Sequence, residues 1–336
     1  MTSRELVRAT LEFKNPPRAP RNMWVLPWAN IYHKDEVERI ERAFENDFAG
    51  PQDCWREYPK TEGDACKIGR YVDEWGCIFT NVQDGVIGEV KDPIIVDEDW
   101  EDADNVRFPV EWLTVIPEVV NEQYENSDRW FNCGCCPRPF EQLQYLRGTE
   151  NLYMDLMVKP PKMMEFIAKM HAFYCELLTV WAQTDVDGLN IMDDWGAQRS
   201  LLINPTIWRE IFKPMYRDYA NIAHQYGKKI FMHSDGNILE IYPDLIEIGI
   251  DCLNSQIFCM GVENLAQYAG KICFWGEIDR QHLLAFGTEQ EIEDAVELVY
   301  KNLWKNGGCI AQLEFGAGAK PQNAYKAFEA WNNMKY

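Results

Sequence analysis

Basic side chains are scarce in this sequence: 33 lysines and arginines stand against 54 aspartates and glutamates, a net charge of −21. A nucleic-acid partner needs a basic face to neutralise its phosphates, and none is visible, so that class of partner is excluded. No apolar run approaches the roughly 18–20 residues of a membrane-spanning helix. Met1 to Pro20 are charged throughout and lack the apolar centre of a secretion signal. The expectation is a soluble, cytoplasmic chain with no membrane contact. Eleven cysteines fit that setting: an odd number cannot all pair, and a reducing compartment keeps thiols free. No Gly-x-Gly-x-x-Gly turn follows a strand and no Gly-x-x-x-x-Gly-Lys loop is present, so neither a dinucleotide fold nor a phosphate cradle has support. Low-complexity tracts, Gly/Ser linkers and short repeats are missing as well.

What remains is a chain of 336 residues, 46% of them apolar, enough for one large α/β domain or two ordinary ones. The first 150 residues are irregular and rich in Trp, Pro and Asp. From about Asn151 the pattern becomes regular. Pro160-Pro161 opens a long helix with apolar residues at Met164, Ile167, Met170, Tyr174, Leu177 and Trp181. Gly188 to Met192 reads as a strand, and Asn204-Pro205 starts a helix that Gly227 ends. Lys229 to Met232 is again a strand, and Ile238 to Ile248 a helix closed by Gly249. Short strands follow at Asp251–Asn254 and Ile272–Trp275. Thr288 and Glu291 form a capping box before a helix that stops at Gly307-Gly308. Cys309 to Leu313 is the last strand, and a closing helix follows Pro321.

Strand–helix alternation implies a parallel sheet. With further strands expected at Trp24–Trp28 and Trp130–Cys133, the count fits a (β/α)8 TIM-type barrel over residues 71–336, with residues 1–70 as an irregular N-terminal extension packed on it. Active sites of such barrels form where strands pass into the following loops. Polar residues are concentrated there: Asp193, Asp194, Trp195 and Gln198; His233, Ser234 and Asp235; Asn254 and Gln256; Glu277 and Asp279; and Glu314. His233 is either a metal ligand or general acid/base, or a strand-end histidine bonded to a neighbouring carbonyl; its position and company favour function. Asp193 and Asp194 are adjacent, so at most one faces a pocket as an acid, a base or a substrate anchor, while the other caps a turn or pairs with an arginine. Glu277 and Glu314 either complete a metal site with His233 and Asp235 or form a hydrogen-bonded rim. Cys133-Gly134-Cys135-Cys136 has the look of a metal motif, but a weak one, because no second pair stands at zinc-knuckle spacing; small residues at a crowded strand end explain it as well.

Several stretches resemble the uroporphyrinogen decarboxylase superfamily: Leu143 to Glu150, Asp193-Asp194-Trp195-Gly196-Ala197-Gln198, Met232-His233-Ser234-Asp235-Gly236-Asn237, Leu245 to Asp251, Leu253-Asn254-Ser255-Gln256 and Trp275-Gly276-Glu277-Ile278-Asp279. The resemblance implies a barrel and one of two reactions. Porphyrinogen decarboxylases carry an Arg-rich N-terminal segment for a polycarboxylate, which Arg18-Ala19-Pro20-Arg21-Asn22-Met23 does not match. Cobalamin-linked methyltransferases of the superfamily hold zinc with His-x-Cys and a later Cys. His233 matches that histidine, Asp235 stands at the x-Cys position, and the later cysteine falls near Ala317. Without the thiolates, a harder site of His233, Asp235, Glu277 and Glu314 suits an oxygen substrate. The resemblance therefore implies a corrinoid-linked O-demethylase of anaerobic metabolism. It would take a methyl group from a small methoxylated, aromatic compound and pass it to a corrinoid protein. Asp193, Asp194 and His233 are the candidate catalytic groups, Trp195, Gln198, Asn254, Gln256 and Asp279 the candidate substrate contacts, zinc the expected metal, and a homodimer the expected assembly. The alternative is a metal-independent carboxy-lyase acting on a small or cyclic acid.

Overall fold

A computed structural model describes all of residues 1–336. Eight strands, labelled β1 to β8, form the centre: β1 (Arg21–Val25), β2 (Phe48–Ala49), β3 (Trp130–Phe131), β4 (Gly188–Met192), β5 (Lys229–Ser234), β6 (Cys252–Ser255), β7 (Cys273–Trp275) and β8 (Cys309–Phe315). Six of them make one curled parallel sheet in the order β1-β8-β7-β6-β5-β4, and β2 pairs with β3 in parallel. The pair is tied to β4 by a parallel bridge between Asn132 and Gly188, and to β1 by the Asp47 N–H donating to the Arg21 carbonyl at 2.9 Å. Ladder pairing is thus continuous over six strands and falls to one or two backbone hydrogen bonds at each of the two seams. No helix is long and apolar enough to cross a membrane.

Period-two alternation sends every second side chain to the concave face of the sheet. Phe48, Trp130, Phe231, Cys252, Cys273, Trp275 and Ile310 pack there as one apolar layer, closed below by Val7 and Leu11 of the helix Ser3–Leu11. Two residues further along β5, β6 and β8 the same face presents His233, Asn254 and Gln312, all buried. An aromatic floor thus carries a polar layer. The convex face packs against the helices in a second, larger core.

The helix starts follow their local chemistry. The Asn204 side chain accepts the Thr206 N–H at 2.8 Å ahead of Pro205–Gln225, and Thr288 and Glu291 close a reciprocal capping box on Glu289–Leu303. Two expectations need correction. The first strand ends at Val25, because Pro27 fixes φ for a helix start and opens Pro27–Tyr32. The helix expected over Ile238–Ile248 divides into a 3-10 turn at Leu239–Ile241 and an α-helix at Tyr242–Glu247, with Pro243 seated in the latter's first turn.

Residues 1–70 supply β1 and β2, so they are wall as well as cover. Between β2 and β3 the chain makes a cap of irregular turns and a small antiparallel sheet, Gly69–Val72, Ile78–Asn81 and Glu89–Val90. Side chains hold these turns: Asp73 accepts the N–H groups of Trp75 and Cys77, and the Asn81 amide donates to the carbonyls of Ala65 and Lys67.

Candidate active site

His233 sits at the end of β5 and is only 9% exposed. Its Nδ1 lies 2.6 Å from Asn254 Oδ1, and the Asn254 amide nitrogen donates to the Trp275 carbonyl. That second bond fixes which end of the amide faces the ring, so Nδ1 must carry the proton and donate it. The indole of Trp24 packs on the imidazole, centroids 5.3 Å apart. Nε2 is thereby aimed at two carboxylates, Asp194 Oδ1 at 3.4 Å and Asp235 Oδ1 at 3.7 Å.

The loops carrying these carboxylates touch backbone to backbone. A Cβ on Gly236 would stand 2.0 Å from the Gly196 carbonyl oxygen, and one on Gly196 would stand 2.3 Å from the Asn237 nitrogen. Gly236 also has φ +76°, a left-handed conformation that glycine alone adopts freely. The Asp235 N–H donates to Asp194 Oδ1 at 3.1 Å, and the Gly236 N–H to Gln256 Oε1 at 3.1 Å.

Burial alone would disfavour the imidazolium, but the hydrogen bond and charge of Asp194, then the charge of Asp235, outweigh it and raise the His233 pKa to about 9. Burial likewise pushes Asp194 up; the His233 hydrogen bond and charge, with the Asp235 N–H and Arg280 behind them, more than offset this and hold it below the usual range. The two form an ion pair at neutral pH in the metal-free protein.

Arg280, in the loop after β7, is the functional candidate that the sequence pattern missed. It contacts Asp235 Oδ2, Glu314 Oε2 at 2.7 Å and Glu277 Oε1 at 3.7 Å. Glu277 and Glu314, expected beside a metal, are instead gathered on this guanidinium. Glu277 is 2% exposed and its Oε2 has no partner. Burial dominates its titration, aided by Asp235 and Glu314 and only partly opposed by the long contact to Arg280, and lifts its pKa to about 8. Burial thus favours its protonated form near neutral pH. A signal for Arg280 did exist, since four carboxylates at adjoining strand ends need a counter-cation and Arg280 directly follows Asp279.

The other predicted residues divide. Asp193 and Asp194 point to different sides. Asp193 is fully buried, accepts the Phe140 and Glu141 N–H groups at 3.0 and 2.8 Å at the start of the helix Pro139–Arg147, and accepts the Tyr216 hydroxyl. Trp195 is also fully buried, stacked on Phe140 at 4.1 Å and donating to Tyr216 at 2.9 Å. Neither reaches a pocket, because both are used to seat that helix. Gln198, Gln256 and Asp279 do converge: with Glu277 and Arg280 they line a cavity of about 160 Å3. Asp279 also accepts the N–H groups of Gln281 and His282, so it shapes the loop that carries Arg280. On the far side of Arg280, Leu26, Trp28, Phe286 and Ala317 line a more apolar cavity of about 580 Å3. Arg18, in the segment where the decarboxylases carry substrate-binding arginines, is committed to Asp47 at 2.7 Å.

The sequence model described as uroporphyrinogen decarboxylase (URO-D) matches residues 73–332, most of the chain. The chain belongs to the uroporphyrinogen decarboxylase family. Its matched span holds the whole His233–Asp194–Asp235–Arg280 cluster. No curated protein matches the chain in sequence. Among solved structures, a methyltransferase from Methanosarcina mazei is similar, with 13% identity, 99% of this chain and 98% of that chain covered, and a TM-score of 0.65. At that identity the likeness establishes a shared fold. An endo-β-1,4-xylanase from Gloeophyllum trabeum also aligns, at 11% identity over 96% of this chain and 98% of that one, with a TM-score of 0.45.

Proposed function

We propose that this chain is a methyltransferase of the family that demethylates a small methoxylated, aromatic compound and delivers the methyl group to a corrinoid carried by a partner protein. The eight strands are read as one (β/α)8 barrel with the reaction at its C-terminal mouth. The observation that carries the reading is the cluster of Asp194, His233 and Asp235. Their donor atoms lie within 4.8 Å of one another, and Asp235 Oδ1 is buried with no hydrogen-bond partner. The donor set fits a zinc-class ion: Asn254 leaves Nε2 as the coordinating nitrogen and supplies the outer hydrogen bond that orients a metal-bound imidazole. Asp194 thus takes the place expected for Glu277 and Glu314. Bound there, such an ion would polarise an ether or phenol oxygen as a Lewis acid.

The chain's own groups supply the rest. A departing phenoxide or alkoxide is a poor leaving group unless its charge is met. Glu277, its protonated form favoured near neutral pH, lines the small cavity and can donate a proton from Oε2 to that oxygen. Arg280 holds Asp235, Glu277 and Glu314 in place and offsets their charge. Gln198 and Gln256 present amides to the same cavity. The apolar cavity beyond Arg280 offers the opening a corrinoid carrier would approach.

Metal analysis of anaerobically purified protein tests the reading. A zinc content that falls by about one equivalent in His233→Ala is expected; protein that is active in methyl transfer with no metal held by His233 would overturn the metal-activated version. One observation favours the second reading, a carboxy-lyase: in the metal-free protein the buried His233 and the half-buried Asp194 already form an ion pair able to hand a proton to a carbanion. CO2 release from an acid without methyl transfer would select it.

A further inference from the structure

The motif Cys133-Gly134-Cys135-Cys136 stands apart from the cluster around His233. It follows β3 and lines a separate cavity of about 580 Å3 between the cap and the sheet, walled by Trp55, Trp75, Trp181 and Tyr145. Gly134 explains itself by crowding, since a Cβ there would stand 2.9 Å from the Trp181 ring. The cysteines have no such explanation. Cys133 and Cys135 are both free thiols, 3.7 Å apart between sulfurs. Two sulfurs on one tetrahedral zinc-class ion, each at about 2.3 Å, stand roughly 3.8 Å apart.

Two further observations point to a ligand. Cys133 Sγ accepts the Asn190 N–H at 3.2 Å, a contact that stabilises a thiolate, and the Oδ1 of Asn190, a residue of the same cavity lining, is buried with no partner. Burial pushes both thiols up; the bonds from Cys135 and Asn190 hold Cys133 below its ordinary value, while burial and the neighbouring Cys133 leave Cys135 well above its own. The other clustered thiols, Cys252, Cys273 and Cys309, are sealed in the core.

We propose that Cys133 and Cys135 form a two-thiolate site for one soft divalent cation of the zinc class, with Asn190 Oδ1 adjacent and the remaining coordination open to the aromatic cavity. Binding exchanges two S–H protons for the ion, and the protons pass to solvent. This site is chemically distinct from the carboxylate–imidazole set at His233, which selects a harder environment.

The test is titration of the full chain, reduced and stripped of metal under anaerobic conditions, with Cd2+ alone. The signal is the thiolate-to-metal charge-transfer absorption in the ultraviolet. Titrated to saturation, the chain should give a band equivalent to one thiolate-bound ion, and Cys133→Ser or Cys135→Ser should abolish it or weaken affinity by more than roughly tenfold, as a lost direct ligand must exceed an outer-shell change. His233→Ala should leave it unchanged. If Cys133→Ser fails to fold, the half-buried Cys135 carries the test by itself. No band in the wild-type chain, or an unchanged band in folded Cys135→Ser, would overturn the proposal.

Discussion

At His233 the decisive neighbour is an uncharged one. Asn254 accepts the Nδ1 proton and is itself pinned by the Trp275 carbonyl, so the ring is held in one orientation with Nε2 facing Asp194 and Asp235. Replacing Asn254 by Leu frees the ring and removes that acceptor; metal affinity is expected to fall about 10–100-fold with the fold retained, read by chelator competition. In the metal-free protein, NMR titration of His233 should give a midpoint far above the usual value of roughly 6.5, in line with the pKa of about 9. The sign for stability follows from linkage. A histidine whose pKa is raised on folding contributes stability that is complete below its unfolded pKa and is lost as pH rises through the folded one. The deficit of Asp194→Asn in denaturant unfolding should therefore be largest near pH 6 (roughly the unfolded value) and shrink as pH passes about 9.

At the scale of elements, the site depends on two loops in backbone contact. Gly236→Ala puts a methyl group onto the Gly196 carbonyl and strains a left-handed backbone. The expected outcome is a loss of about 1–3 kcal/mol of stability and a larger loss of activity, because Asp194 and Asp235 are forced apart. Denaturant midpoints together with metal binding check it; normal metal binding in a folded Gly236→Ala chain would show that the contact does not set the site. Thr288→Ala, far from the site, should cost only ~1 kcal/mol through the lost capping box, with activity unchanged. These caps were legible in the sequence because capping is local chemistry: Asn204-Pro205, Thr288 with Glu291 and Pro321 each start a helix where their residue types demand. Strand β2 was not, because Phe48–Ala49 is two residues long and is paired only through distant Trp130 and Phe131. The cap was illegible for a similar reason. Its turns are held by Asp73 and Asn81 reaching backbone groups that no periodic pattern marks.

Over the whole molecule, the apolar floor and the polar layer above it are two phases of one alternation. Phe231 and His233, Cys252 and Asn254, and Ile310 and Gln312 are successive residues on the concave face. The ends of the hydrophobic strand runs placed His233, Asn254 and Glu314 from sequence. They could not show that Asp193 and Trp195 turn away to seat Pro139–Arg147, or that Arg280 gathers Glu277 and Glu314. Those outcomes depend on loop paths and on charge balance between segments far apart in the chain. The departure from the methyltransferase motif also gains a physical content. On the proposed reading Asp235 stands where a thiolate would, and its carboxylate is met by Arg280. Central to this account is methyl transfer from an oxygen, with His233 at the centre. Its most direct test is formation of methylcobalamin from cob(I)alamin by the anaerobically purified chain with a panel of methoxylated aromatics. The account predicts turnover with at least one donor and a loss of about 100-fold or more in His233→Ala, the scale of a lost acid–base or Lewis-acid group. Absence of transfer from every donor, or full activity in His233→Ala, would contradict it.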